Sequence, residues 1–130
     1  MATKQRIRSE HAPAAIGPYS QAISAGGFIY TAGQLGLDPA TGTLVEGGIA
    51  EQTRRVLDNL RSILESAGTS LDNVVKSTVF LSDMSNFAAM NEVYKQYFNS
   101  DAPPARSTVQ AAALPLGAMV EIECVALAGD

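Results

Sequence analysis

The sequence of 130 residues has little of the side-chain chemistry that metal sites and covalent catalysts need: it has one cysteine, one histidine and no tryptophan. A lone Cys124 excludes a disulfide within the chain. Its strand neighbours Val120, Ile122 and Ala126 predict that it is a buried apolar residue. The single His11 lies in a stretch rich in proline, alanine and glycine. Zinc sites and serine triads need several spaced ligands or a paired histidine, so we expect neither a metal nor a triad.

Positive charge is also scarce. Nine lysine and arginine residues oppose thirteen aspartate and glutamate residues, which gives a net charge of -4 and an isoelectric point near 4.9. The basic residues are scattered apart from Arg54-Arg55, so the basic patch of a nucleic-acid-binding protein is missing, and nucleic acid is not expected as the main partner. The glycine pairs also lack the spacing of a phosphate-binding loop or a dinucleotide-binding motif.

Long apolar runs are absent as well. No segment approaches the ~20 apolar residues of a membrane helix, and the N-terminal residues lack the apolar core of a secretory signal. We therefore expect no membrane partner and a cytoplasmic location. Hydrophobic residues make up 46% of the sequence, which is enough for a buried core, and no linker or repeat divides it. The sequence predicts one globular domain over residues 1–130.

The hydrophobic pattern switches between the period of a strand and that of a helix. Apolar residues at three- and four-residue steps predict helices over residues 49–67, ended by Gly68, and over residues 87–98. Alternating or β-branched segments predict strands, two of them joined as a hairpin at Gly26-Gly27. The predicted strands cover residues 5–8, 19–25, 28–34, 74–81, 106–112 and 118–127. The predicted fold is α+β, a single mixed β-sheet with two helices packed on one face.

The strand over residues 74–81 is apolar on both of its alternating faces. Val75 and Val79 are predicted on one side, and Val74 and Phe80 on the other. Two helices cover only one face of a sheet, so the second face needs another cover. We predict that another copy of the chain packs on it.

Arg106 follows Pro103-Pro104 at the start of a predicted strand. Each proline restricts its own φ and biases the residue before it towards extended backbone, so the arginine side chain is aimed reproducibly. A guanidinium group held in this way matches both oxygens of a carboxylate, which a lysine does not. A small organic acid is therefore the first ligand class to consider. The alternative is a surface arginine paired with a neighbouring acidic residue.

Three further polar positions fit their predicted surroundings poorly. Asn91 shares the apolar face of the second helix, where it either makes a structural hydrogen bond or lines a pocket. Glu121 and Glu123 project from one face of the last strand. This face is either solvated or a place where a carboxylate acts on water near Arg106, which is predicted on the same sheet face. Tyr19 is either a core aromatic residue or a hydroxyl that faces a ligand.

Taken together, the residues resemble the reactive-intermediate deaminase family, also called the RidA or YjgF family. The resemblance covers nearly the whole chain, and the combination of motifs is far more specific than any one of them. The matching segments are Ala14-Ala15-Ile16-Gly17-Pro18-Tyr19-Ser20-Gln21, Thr31-Ala32-Gly33-Gln34, Val75-Lys76-Ser77-Thr78-Val79-Phe80-Leu81, Ala105-Arg106-Ser107-Thr108-Val109 and Val120-Glu121-Ile122.

The resemblance implies a compact, chorismate-mutase-like α+β fold that assembles as a homotrimer with ligand sites between subunits. It also implies an activity that needs no cofactor. The implied substrates are 2-imino acids, which form from enamines such as 2-aminoacrylate that PLP-dependent dehydratases release. Hydrolysis converts them to 2-keto acids and ammonia.

The family's site residues carry over to matching positions of this sequence. The resemblance implies that Arg106 binds the substrate carboxylate, that Tyr19, Gly33 and Asn91 contact the substrate, and that Glu121 acts on the attacking water. In this mechanism the enzyme needs no covalent nucleophile, because an imine carbon is already electrophilic and water has only to be positioned.

Thr108 is also implied as a substrate contact, although many relatives carry cysteine there. Threonine keeps a hydroxyl and the same backbone groups, so a thiol-dependent role is weakened while water placement by the main chain survives. Two other functions stay open. One is a non-catalytic trimer that binds keto acids or other small carboxylates and regulates a partner. The other is an RNA-cleaving translation inhibitor, and the excess of acidic over basic residues argues against it.

Overall fold

The computed structural model describes residues 3–129, which form one six-stranded sheet with two helices on one of its faces. The strands are β1 (Lys4–Ile7), β2 (Ala22–Ala25), β3 (Phe28–Thr31), β4 (Val74–Leu81), β5 (Ala105–Gln110) and β6 (Val120–Leu127). The helices are α1 (Ile49–Ser66) and α2 (Phe87–Tyr97). The predicted α+β class is confirmed. Among the described residues, no helix is long and apolar enough to cross a membrane.

The strands are ordered β1-β2-β3-β6-β4-β5 across the sheet. All neighbours are antiparallel except β4 and β5, which run parallel, so the sheet is mixed as predicted. Helix α2 lies in the connection between these two strands, because a parallel pair needs a long crossover and not a hairpin. Strand β5 is the last strand in this order, so it is an edge strand and one side of it is open.

Helix α1 forms because its apolar side chains recur on one face, which packs on β6 and against α2. Its buried residues are Gln52, Thr53, Val56, Leu57, Asn59, Leu60, Ile63 and Leu64. The Gly48 amide at its start donates to the Glu51 carboxylate at 3.0 Å. At its end Gly68 has a φ of 81°, and its amide donates to the Glu65 carbonyl at 3.0 Å. This is the predicted glycine-terminated helix.

The predicted strand over residues 19–25 is confirmed only for residues 22–25, which form β2, because residues 19–21 belong to a loop. Gly17, with a φ of 124°, turns the chain before Pro18, so extended pairing begins only at Ala22. The buried Gln21 side chain holds this loop, because its amide donates to the Pro13 carbonyl at 2.7 Å and its oxygen accepts from the Ser9 amide at 2.6 Å. Tyr19 therefore belongs to a loop.

A β-bulge at the start of β4 reverses the predicted orientation of two residues. Val74 pairs with Ala126 and Lys76 pairs with Val125, so Val75 is the extra residue. Because a bulge shifts the two-residue alternation by one position, Val74 is buried towards the helices, whereas Val75 is 40% exposed. The sequence pattern had predicted the opposite assignment for both valines.

The face of the sheet opposite the helices is open in the single chain. Strand register places Phe80, Tyr30, Val109 and Leu127 on this face, and the last three are exposed. Several neighbouring exposed apolar side chains on one sheet face are typical of an interface. This arrangement agrees with the predicted association of copies, which stays a prediction.

Candidate functional site

Arg106 is the second residue of β5 and points towards the helices. The parallel register places it opposite Ser77 of β4, a residue with 0% exposure that faces α2. Paired residues of adjacent strands project to the same side of a sheet, so the arginine lies in the gap between the edge strand and the helix.

The guanidinium group of Arg106 is held by three side chains of α2. Its Nη1 donates to Oδ1 of Asn91 at 2.7 Å. Its central carbon lies 4.6 Å from the ring centroid of Tyr94 and 5.4 Å from that of Phe87. The Tyr94 hydroxyl is itself fixed by a 2.6 Å hydrogen bond with Ser77. These contacts limit the rotamers of the arginine, so the N–H donors of its guanidinium group point in a fixed direction.

Arg106 has no carboxylate partner among residues 3–129, where the ion pairs are Arg61 with Asp58 and Lys95 with Glu92. A guanidinium group has five N–H donors, and the described contacts use one of them. The geometry therefore favours a carboxylate-binding arginine over the alternative of a surface arginine paired with an acid.

Thr108 lies on the same side of β5 as Arg106, two residues further along and opposite Val79. It is half-buried, as are Arg106 and Asn91. We call the group of Arg106, Asn91, Thr108, Phe87 and Tyr94 the guanidinium half-site. Phe87 and Tyr94 were predicted only as apolar helix residues, although their spacing of four and three from Asn91 already placed all three on one helix face.

Glu121 lies on the other face of the sheet. Glu121 is part of β6 and pairs with Phe80 of β4, and Glu123 follows on the same side of β6, as predicted. The Glu121 carboxylate lies directly against Gly33, where any Cβ atom would overlap it. Backbone hydrogen bonds of 2.9 and 3.1 Å between Gln34 and Ile122 keep the two segments together. A side chain at position 33 would therefore displace the Glu121 carboxylate from this position.

A cleft of about 470 Å³ opens beside Glu121 and Gly33. Tyr19 lines it from the loop before β2, and its hydroxyl accepts a 3.3 Å hydrogen bond from the Ile16 amide. Leu116 lines it from the turn before β6. We call this group the carboxylate cleft. Tyr19 is 53% exposed, so it is not a core residue, and its ring is available to a ligand.

Burial raises the pKa of Glu121 above its ordinary value of 4.5, and the neighbouring charge of Glu123 raises it further. No lysine or arginine forms an ion pair with Glu121 in the described part of the chain. A carboxylate with a raised pKa and no cation beside it is a better proton acceptor than a free glutamate.

Arg106 and Glu121 were predicted on one sheet face, and this prediction is wrong. Arg106 is level with Ser77, whereas Glu121 is level with Phe80, which is an odd number of residues away along β4. Odd spacing places the two side chains on opposite faces. The sheet therefore separates the guanidinium half-site from the carboxylate cleft within one chain.

Cys124 is buried as predicted, and burial raises the pKa of its thiol to about 11. Its amide donates to Oγ1 of Thr31 at 3.0 Å. A thiol with so high a pKa is not a nucleophile at neutral pH.

Among residues 3–129, no group of three or more His, Cys, Asp or Glu side chains is placed to hold a metal ion.

Comparison with known proteins shows likeness along nearly the whole chain. A sequence model of the family described as Endoribonuclease L-PSP matches residues 9–128. A RutC family protein of Pyrococcus horikoshii is 53% identical over 123 residues, which cover 95% of this chain and 97% of that protein. The 2-iminobutanoate/2-iminopropanoate deaminase of Capra hircus is 54% identical over 123 residues, which cover 95% of this chain and 89% of that protein.

Solved structures share the fold at similar levels of identity. A Rid-family protein of Yersinia pestis has a TM-score of 0.93 at 48% identity, and the match covers 96% of this chain and 99% of that one. TdcF of E. coli with bound serine has a TM-score of 0.89 at 40% identity, with 95% and 98% covered. The likeness extends over both the guanidinium half-site and the carboxylate cleft.

The free charge of Arg106 leads to a prediction about Asn91. Asn91→Asp would place a carboxylate at 2.7 Å from the guanidinium and satisfy it internally. We expect the affinity for a small carboxylate such as 2-oxobutanoate to fall by about tenfold, or ~1.4 kcal/mol. Titration calorimetry measures the effect. Asn99→Asp, on an exposed residue just after α2, adds the same charge elsewhere and is the control. Equal affinity of both variants would contradict the carboxylate-binding role.

Proposed function

Because the chain belongs to the reactive-intermediate deaminase (RidA) family, we propose that it hydrolyses 2-imino acids to 2-keto acids and ammonia. The observation that carries the proposal is the fixed, half-buried guanidinium of Arg106, which has no carboxylate partner among residues 3–129. Support also comes from the deaminase name of the Capra hircus relative and from the serine bound to TdcF, which is a small molecule with a carboxylate.

The reaction adds water across the carbon–nitrogen bond and then breaks it. Arg106 holds the substrate carboxylate and Asn91 fixes the guanidinium, so C2 of the substrate is kept in one place. The substrate reacts as the protonated imine. Glu121 accepts a proton from water while the water oxygen bonds to C2, and the electron pair of the C=N bond moves to the nitrogen, which becomes an amine. Glu121 returns the proton to this nitrogen. The C–N bond then breaks as the C2 hydroxyl gives up its proton to Glu121, which yields the keto acid and ammonia. No redox cofactor or metal enters this balance.

We further propose that each site forms between two copies of the chain. Arg106 of one copy and Glu121 of its neighbour have to face a common ligand, because the sheet separates the two residues within one chain. An interface that joins two different surfaces of identical chains is heterologous, and it forms a ring when the rotation between copies closes. The proposed ring is a homotrimer in which the exposed Tyr30, Val109 and Leu127 are covered.

The proposed physiological ligands are imino and keto acids with short side chains. Their proposed source is the enamine product of PLP-dependent dehydratases, and a cytoplasmic location remains the prediction. The description Endoribonuclease L-PSP makes RNA cleavage the second candidate. A net charge of -4 and a guanidinium enclosed by two rings of α2 suit a small anion better than a phosphate backbone.

The first test is release of ammonia from 2-iminopropanoate and 2-iminobutanoate that an amino acid oxidase generates in the assay. We expect the wild type to accelerate release over buffer. Arg106→Lys should lower kcat/KM by about tenfold or more, because a two-point contact becomes a single point charge. The control is Arg61→Lys. Arg61 also stacks on a tyrosine, at 4.9 Å, but it lies outside the guanidinium half-site and the carboxylate cleft.

Two results would count against this proposal. A wild type that releases no more ammonia than buffer would leave the non-catalytic carboxylate-binding protein as the better explanation. An Arg106→Lys variant with wild-type kcat/KM would remove Arg106 from the binding of the substrate carboxylate.

The raised pKa of Glu121 predicts the pH dependence of the reaction. A base has to be deprotonated, so kcat/KM should rise with pH through an apparent pKa above 4.5. Glu121→Gln should remove this rise of kcat/KM with pH, which is the acid limb of the pH profile, and should lower kcat/KM by a factor of about 10² to 10⁴. Glu123→Gln removes the charge that raises the Glu121 pKa, so its acid limb should move to lower pH. An unchanged acid limb in Glu121→Gln would show that another group accepts the proton.

Mixed oligomers test whether a site joins two copies. Arg106→Ala and Glu121→Gln should each be nearly inactive alone, but a mixed oligomer brings an intact Arg106 from one chain to an intact Glu121 from the other. Random assembly of equal amounts restores about a quarter of the sites, and we expect about a quarter of wild-type activity. Co-expression of the two chains in equal amounts, assayed without separation of the species, provides this mixture.

The control for this experiment is a mixture of wild type with the double variant Arg106→Ala/Glu121→Gln. It contains the same number of intact side chains, and it too should restore about a quarter of the sites. No recovery in the mixture of single variants would mean that both residues act within one chain. It would then overturn the shared site.

A further inference from the structure

The turn before β6 contains a residue whose backbone conformation is unfavourable for its type. Leu116 has φ 59° and ψ 18°, the left-handed region, and Gly117 follows with a φ of 71°. Glycine and asparagine adopt this region readily, whereas the Cβ of a leucine approaches its own carbonyl oxygen there. Leu116 is the one residue other than glycine with positive φ among residues 3–129.

Within a single chain, packing of the Leu116 side chain does not explain this conformation. It is 68% exposed, whereas the neighbouring Ala118 is 1% exposed and anchors the turn with a 3.1 Å hydrogen bond from its amide to the Pro115 carbonyl. A large apolar side chain in water adds nothing to folding. Strained residues of this kind concentrate at functional sites, where surrounding structure keeps them in place.

Leu116 and Ile16 both border the carboxylate cleft. With exposures of 68% and 86%, they are the two most exposed large apolar side chains among residues 3–129. They come from separate segments, the turn before β6 and the loop before β2. The same cleft holds Glu121 and Gly33. Two exposed apolar side chains from separate segments thus line a cleft that also contains a carboxylate.

We propose that Leu116 is a specificity-determining residue that contacts the side chain of the substrate and favours aliphatic 2-imino acids. The inference rests on the proposed function. Arg106 of the neighbouring copy takes the carboxylate and Glu121 directs water to C2, so the part of the substrate that remains is the group on C3 and beyond. Contact between an aliphatic side chain of the substrate and Leu116 and Ile16 removes apolar surface from water on both sides of the contact. A charged side chain of the substrate would lose hydration at the same place without gaining a partner.

The test compares substrates that differ only in the length of this group. Leu116→Asn is the chosen variant, because asparagine tolerates the left-handed region and removes the apolar surface. We expect the ratio of kcat/KM for 2-imino-4-methylpentanoate to that for 2-iminopropanoate to fall by about tenfold, the effect of losing one to two methylene contacts. Val75→Asn, on an exposed valine outside the cleft, should leave the ratio unchanged.

Thermal unfolding at equal protein concentration separates this role from a structural one. Leu116→Asn relieves the unfavourable φ, so its Tm should equal or exceed that of the wild type. A purely structural leucine would give the opposite result, a lower Tm with an unchanged substrate ratio. That outcome would overturn the proposal.

A binding measurement keeps the inference distinct from the proposed function. Calorimetry with 4-methyl-2-oxopentanoate and 2-oxopropanoate needs no turnover, and the affinity ratio should fall about tenfold in Leu116→Asn. If the wild type released no ammonia but this ratio still fell, the deaminase proposal would fail and the role of Leu116 would stand. If both the kinetic and the affinity ratios equalled those of the wild type, Leu116 would have no part in selectivity.

Discussion

The register between β4 and its two neighbours is the constraint on which the site depends. Arg106 is level with Ser77 and Glu121 is level with Phe80, so alternation along one strand sends the cation and the anion to opposite faces. Each face then supplies its own supports. Helix α2 provides the rings and the amide that hold the guanidinium, and the segment after β3 provides the glycine against which the carboxylate rests. A slip of β5 by one residue would break the first of these arrangements completely.

Most of the fold could be predicted from periodicity, because burial on one face imposes a repeat that the sequence shows directly. Helix α1 and the hairpin at Gly26-Gly27 are of this kind. Two features depended on tertiary contacts and could not be predicted. The Gln21 side chain holds Tyr19 in a loop, and the bulge at Val75 exchanges the faces of two valines. Neither feature produces a periodic pattern of apolar residues in the sequence.

The composition of the site was easier to predict than its geometry. Asn91 within an apolar helix face and Arg106 behind two prolines are local misfits that a single sequence displays, and the structure brings these two into contact at 2.7 Å. The face on which Arg106 lies depends on a parallel register that no spacing within β5 or β6 encodes. The same is true of Leu116: an apolar residue inside a Pro-Leu-Gly turn is visible as a pattern, but only three-dimensional contacts place it beside Glu121.

Separate anchoring of the two charges also explains how a shared site could stay open for its ligand. If Arg106 and Glu121 of neighbouring copies approached freely, they would form an ion pair, and the substrate carboxylate would have to displace it. The hydrogen bond to Asn91 and the ring of Tyr94 draw the guanidinium towards α2, and the missing side chain of Gly33 leaves room for the carboxylate beside the segment after β3. In the proposed shared site, the contacts with α2 keep the guanidinium back from the carboxylate, and the substrate carboxylate would be the counterion that Arg106 lacks within its own chain. The proposal thus depends on the contacts of Arg106 with α2 as well as on the two charges, because these contacts would leave space between the charges for the substrate.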